Sequence, residues 1–226
     1  MDGQRRMRAV LWRTLVSTVV FFLILGLIMF VPAGIDWWQG WLFLAVFVLQ
    51  MVLAAIYLWR KNPEIFFARS KIHKGTKPWD RVLLFLLIVS FGATFPVAGL
   101  NHSPVPPWVI VLGYVLLTIG MVGLVWAEAV NKFAEPGVRI QTDRGHTVVD
   151  SGPYRFVRHP MYASSFPFFG GLPLALGSCQ ALIPATVVAA VILVRTALED
   201  RMLHRELPGY REYARRVRYR LVPGVW

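Results

Sequence analysis

Between positions 152 and 162 the chain reads Gly152-Pro153-Tyr154-Arg155-Phe156-Val157-Arg158-His159-Pro160-Met161-Tyr162, setting two guanidinium groups, an imidazole and two phenols between two prolines. Proline fixes its own φ and drives the preceding residue toward extended backbone, so these groups are held on a defined path. Such a path suits a ligand with anionic and aromatic parts. It also suits an interface anchor, with Arg155 and Arg158 reaching lipid phosphates and Tyr154 and Tyr162 joining an aromatic belt. Other candidates flank this stretch. Glu128 and Asn131 lie three apart at the end of an apolar helix, where pairing with Lys132 is the plainer reading, and Arg195 and Glu199 lie four apart on a later one, followed by Asp200. An intrahelical ion pair accounts for Arg195 and Glu199 as well as a site does. His146 precedes His159 without a neighbouring cysteine, which argues against zinc, and Cys179 is the one cysteine, so neither a metal motif nor an internal disulfide is expected. His73 and His102 fall in loops on opposite sides and cannot join one centre. No Walker loop, strand-borne G-x-G-x-x-G or serine nucleophile elbow occurs, so the soluble nucleotide-binding and hydrolase patterns are unsupported. Cationic, acidic and aromatic groups gathered on one face would suit a zwitterionic or nucleoside cofactor.

The elements that must position these groups are membrane helices. Of 226 residues, 56% are hydrophobic and 14% aromatic, well above a soluble average. Thr14 to Val31, Trp41 to Trp59, Val82 to Leu100 and Trp108 to Trp126 each have about the length and apolarity a bilayer requires. Pro96 would kink the third. The fourth is expected to continue as helix through Glu128, Asn131 and Lys132 until Pro136-Gly137. Val138 to Tyr162 is too polar to cross lipid. Met161 to Leu176 and Ala181 to Val194 are shorter apolar arms around Gly177-Ser178, read as a hairpin bent at Gly170-Gly171 and Pro173. From Arg195 to about Arg216 the pattern predicts an amphipathic tail helix, ended near Pro223-Gly224. The first apolar run has no clear cleavage site and is expected to stay attached. The expected fold is therefore all-α: a polytopic transmembrane bundle of four full spans, a C-terminal helical hairpin and a cytoplasmic tail helix.

A net charge of +12 does not imply nucleic acid, because the basic residues alternate with apolar runs and form no separate domain. Anionic lipid headgroups are the expected partner. The 24 lysines and arginines fall as four before the first span, seven between the second and third, five after the fourth and eight from Arg195 onward. All lie on one side of an even number of crossings, which the positive-inside rule makes the cytoplasm. Both termini and the 152–162 stretch share that face.

At these residues the chain resembles the isoprenylcysteine carboxyl methyltransferase family and its relatives among membrane phospholipid methyltransferases. The resemblance covers roughly the last 95 residues and rests on Asn131, Gln141, His146-Thr147-Val148-Val149, Gly152-Pro153-Tyr154, Arg158-His159-Pro160-Met161-Tyr162, Glu199-Asp200, Tyr210, Tyr213 and Pro223 in family order. It implies S-adenosylmethionine in a cytoplasmic pocket and a lipophilic small-molecule or lipid acceptor arriving from the bilayer. Gln141, His146, Val148, Val149, Gly152, Tyr154, Arg158, His159, Tyr162 and Glu199 would hold the cofactor. Arg195, Arg158 and Glu199 would carry the chemistry, with Arg195 steering a substrate anion. Residues 1–130 would be scaffold and acceptor tunnel, and 131–226 the cofactor-binding region. Two departures are Asp200 where relatives have glutamate and Ser164 where they often have glycine, which would reshape the pocket entrance. Phospholipid N-methylation, an NADPH-dependent sterol-type reductase and a non-enzymatic binding or transport protein are the alternatives. A transporter would need a polar path through the spans, where only Gln50 and Ser90 stand out.

Overall fold

In a computed structural model, residues 2–102 and 105–226 are described, with the side chains of 2–11 and 13–15 outside that description, as are residues 103 and 104 of the turn after the third span. The side chains of Arg5, Arg6, Arg8 and Arg13 therefore lie outside the described residues. The helices are α1 (Asp2–Ala33), α2 (Trp38–Lys61), α3 (Glu64–Ala68), α4 (Pro78–Leu100), α5 (Pro107–Val130), α6 (Pro160–Ala175), α7 (Leu182–Glu206) and α8 (Tyr210–Arg216), with 3₁₀ turns at Thr142–Arg144 and Gly152–Arg155. No strand occurs among the described residues, so the all-α expectation holds. Helices α1, α2, α4, α5 and α7 are long and apolar enough to cross a membrane, the pattern of an integral membrane protein. Proline begins α4, α5 and α6, where its fixed φ suits the first turn and its missing N–H costs nothing.

The bundle is held by close approach and by aromatic packing. Met29, Phe43, Phe95, Leu117 and Leu172 are fully or almost fully buried in one continuous core with Phe47 and Phe168. Along the α5–α6 seam, Gly113 and Gly120 lie against the backbone of Ala175 and Phe168, and Gly171 against Gly113 and Leu117. A β-carbon at any of these three would force the helices apart, the small-residue logic of membrane helix pairs. Ser164 faces Gly123 in this seam, so its hydroxyl packs between helices and bonds to the Pro160 carbonyl instead of shaping a pocket entrance. The outer faces of the spans stay apolar and exposed, as at Leu23, Phe85 and Val122.

Two boundaries differ from the sequence expectation. Helix α5 ends at Val130, and Asn131 takes extended backbone with φ −112° and ψ 98°. The Asn62 side chain accounts for this, donating to the Glu128 carbonyl at 2.7 Å and the Asn131 carbonyl at 3.3 Å. Helix α7 does not stop at Val194 but runs 25 residues, from Leu182 to Glu206, so the predicted tail helix is split between α7 and the short α8. Pro208-Gly209 makes that break, with Gly209 at φ +79°. A second core of Val138, Met202, Leu203, Leu207, Tyr210 and Tyr213 packs α8 and the 131–149 loop over the end of α7.

Candidate functional site

A cavity of about 340 Å³ lies where α4, α5, α6 and α7 meet the 131–149 loop and α8. This falls in the size range of small-ligand sites. Of the residues singled out in sequence, Gln141, His146, Val148, Val149, Tyr154, Arg158, His159, Tyr162, Arg195 and Glu199 all line it. Gly152 does not line it. It opens the 3₁₀ turn at φ +56°, and a β-carbon there would press on Val130 and Trp126. Its freedom at positive φ sets the turn that presents Tyr154.

The loop wall is built from local bonds. Gln141 is 2% exposed and donates to the Phe133 carbonyl at 2.7 Å. Its backbone N–H donates to His146 Nδ1 at 3.3 Å, and the imidazole lies against the Phe133 ring with centroids 4.6 Å apart. Burial pushes the His146 pKa down to about 4. The ring is therefore neutral near pH 7 and carries its proton on Nε2 as a donor. Asn131 donates to the Tyr154 hydroxyl at 2.8 Å, and burial raises the Tyr154 pKa, so the phenol stays protonated. Glu128 is not paired with Lys132; it meets Arg69 at 3.1 Å across the cavity edge.

The two acids at 199 and 200 face different ways. Glu199 lines the cavity and accepts the Tyr162 hydroxyl, whose ring stacks on His159 with centroids 5.7 Å apart. Asp200 is 1% exposed and gathers the chain around it. Arg158 donates to it through Nε at 2.8 Å and Nη2 at 3.2 Å, Arg220 at 2.8 Å and Tyr210 at 2.9 Å, with His159 Nε2 at 3.2 Å. Burial and this carboxylate raise the Tyr210 pKa, keeping its hydroxyl a donor. Arg158 also donates to the Val217 and Arg218 carbonyls, and its backbone N–H to Tyr219. One carboxylate thus fixes the Arg-His-Pro turn, α7, α8 and the C-terminal segment together.

Sequence reasoning missed Asp80. It sits in the first turn of α4, is fully buried, and takes Arg195 through Nε at 2.7 Å and Nη2 at 3.2 Å. It also accepts the Val138 N–H at 2.7 Å. The only local signal was one acid at the head of an apolar run, which reads as an ordinary helix start. At the other end the cavity wall is apolar, made by Leu84 and Leu87 of α4, Leu124 of α5, Phe169 of α6 and Ile192 of α7. Among the described residues, no group of three His, Cys, Asp or Glu side chains is placed to hold a metal.

This geometry can be set beside known proteins. Residues 108–208, from the start of α5 to just past α7, match the phospholipid methyltransferase family. This stretch is similar to the membrane methyltransferases of that family, in agreement with the resemblance read from its motifs. The cobalt-zinc-cadmium resistance protein CzcN of Cupriavidus metallidurans is 38% identical over 106 residues, 45% of this chain and 46% of that protein. The nickel-cobalt-cadmium resistance protein NccN of Alcaligenes xylosoxydans xylosoxydans is 33% identical over 106 residues, 45% of this chain and 47% of that protein. The matches thus span about half the length of these curated relatives.

Proposed function

We propose that this protein is an S-adenosylmethionine-dependent methyltransferase acting on a lipophilic acceptor dissolved in the membrane. One observation carries the reading: a single cavity joins a wall of cofactor-type donors and acceptors to a wall of apolar span residues. A water-soluble cofactor needs the first, and an acceptor arriving sideways from lipid needs the second. The donor set fits the cofactor. Neutral His146 and the 147–149 backbone suit the adenosyl part, Glu199 suits hydroxyls or the ammonium group, and Tyr154, His159 and Tyr162 supply rings and hydroxyls. The positive-inside distribution supports placing this cavity and both termini on the cytoplasmic side.

S-adenosylmethionine would supply a methyl group on a cationic sulfur that departs with the bonding electrons. What the chain must do is align the acceptor's lone pair with that carbon and exclude water. Arg158, fixed by Asp200, would hold the site's shape, and Arg195, fixed by Asp80, would steer an anionic part of the acceptor. An isoprenylcysteine-like carboxylate or thiol would react without a base, whereas an amine must first shed a proton, for which Glu199, a cavity-lining carboxylate that accepts the Tyr162 hydroxyl, is the candidate base. Phospholipid N-methylation is the second reading, favoured by the family match at 108–208. Residues 131–226 would form the cofactor-binding region and the earlier spans the acceptor path.

The test is incubation of purified protein with methyl-labelled S-adenosylmethionine in vesicles containing phosphatidylethanolamine or a farnesylcysteine carboxylate. Label in the organic phase, absent in the Glu199→Ala variant, is the expected result. Label with neither acceptor nor with a total membrane lipid extract would overturn the proposal.

A further inference from the structure

Arg195 and Glu199 are one turn apart on α7, the spacing at which a guanidinium and a carboxylate pair along a helix. They do not pair here. Arg195 is turned away by Asp80, which takes two of its N–H groups at 2.7 and 3.2 Å while the Pro136 carbonyl accepts another. The guanidinium is left 5.5 Å above the Tyr162 ring, and Glu199 accepts only the Tyr162 hydroxyl among the described hydrogen bonds and ion pairs. Asp80 lies on α4, outside the 108–208 region that matches the family.

We infer that Asp80 is a positioning residue of the site: by holding Arg195 it keeps the Glu199 carboxylate free to face the cavity. The inference rests on the proposed cofactor role of Glu199. Its physical content is an asymmetry between the two ends of the Asp80–Arg195 pair. If Arg195 is removed, Asp80 still accepts the Val138 N–H and Glu199 gains no new cationic neighbour. If Asp80 is neutralised, Arg195 cannot lose its proton and must find another anion. The nearest on its own helix face is Glu199, one turn on. Losing Asp80 therefore removes Glu199 from the cavity, while losing Arg195 does not.

The test is a cycle of Asp80→Asn, Arg195→Met and the double variant, each titrated calorimetrically with S-adenosylhomocysteine in detergent. Arg195→Met is expected within about threefold of wild-type affinity, Asp80→Asn weaker by about tenfold or more, and the double variant back within about threefold. Wild-type binding by Asp80→Asn, or a double variant as weak as Asp80→Asn, would overturn the inference. If Asp80→Asn does not fold, the double variant decides: tenfold weakness there also overturns it.

A second readout needs no cofactor. The ¹⁵N–¹H signal of Arg195 Nε, identified by its loss in Arg195→Met, should persist in Asp80→Asn and vanish in Asp80→Asn/Glu199→Gln. Loss in Asp80→Asn alone would show that Glu199 does not take over the guanidinium. A wild-type protein that binds no S-adenosylhomocysteine would sink the cofactor reading, and this spectrum would then decide the role of Asp80.

Discussion

The membrane-facing bundle and the polar cap above it are stabilised by different physics. In the bundle, α1, α2, α5 and α6 meet through aromatic rings and glycines, and Gln50 to Thr118 at 2.9 Å is a rare side-chain bond between spans. In the cap, made by residues 62–80, 128–159 and 195–226, lie all the ion pairs found among the described residues, including buried Arg158–Asp200 and Arg195–Asp80. Lipid is as apolar as leucine, so the bundle gains its specificity from shape. The cap borders water and must satisfy every buried charge, so its specificity lies in directional bonds that a single substitution can break. The lesson is that the site sits at the seam and borrows from both.

Substitutions in the two regions should therefore differ in cost. The largest belongs to Asp200→Asn, which leaves Arg158 uncompensated and should destabilise the protein by about 3–5 kcal/mol in detergent unfolding. A loss under about 1 kcal/mol would remove the hub role. Next come His159→Ala and Glu199→Ala, expected to weaken S-adenosylhomocysteine binding by about a hundredfold while the protein remains folded and membrane-inserted. In the bundle, Gly120→Ala should cost about 1–3 kcal/mol because Phe168 occupies the space, whereas lipid-facing Val122→Ala should cost within about 0.5 kcal/mol. Equal costs at both positions would undo the close-packing account of α5 and α6.

The smallest effect is a pH dependence. His146 has a folded pKa near 4 against an ordinary value of 6.5, because burial disfavours its charged form. The unfolded chain therefore binds more protons between those values, and the stability that His146 contributes is fully present above about pH 6.5 and lost as pH falls toward 4. Thermal unfolding of wild type and His146→Gln between pH 7 and pH 4 should diverge at the high end and converge at the low end. Parallel curves would mean that His146 is not buried uncharged.

Much of the fold was legible because lipid imposes length and apolarity on every span: α2, α4 and α5 follow their predicted runs to within a few residues, and α1 contains its run but begins earlier, at Asp2. The end of α7 was not, since Arg195 to Glu206 is polar by sequence yet continues a helix whose buried partners, Asp80 and the 131–149 loop, come from elsewhere in the chain. Asn131 left its helix for the same kind of reason: the Asn62 side chain, far away in sequence, takes up the last carbonyls of α5. At the site, motif order located the residues that line the cavity, because they cluster in two short blocks. Asp80 carried no such mark. Its meaning lies in a pairing across 115 positions with Arg195, which no spacing rule reaches. Gly152 was legible as part of a turn, but only its positive φ separates a residue that shapes the site from one that lines it.

The proposed function requires the cavity between the spans and the cap to hold an adenosyl sulfur cofactor. Calorimetric titration of the detergent-purified protein with S-adenosylhomocysteine, with NADPH as the comparator, measures whether it does. Saturable binding of S-adenosylhomocysteine and no heat from NADPH is the predicted result. Saturable binding of NADPH with none of the adenosyl ligand would contradict it.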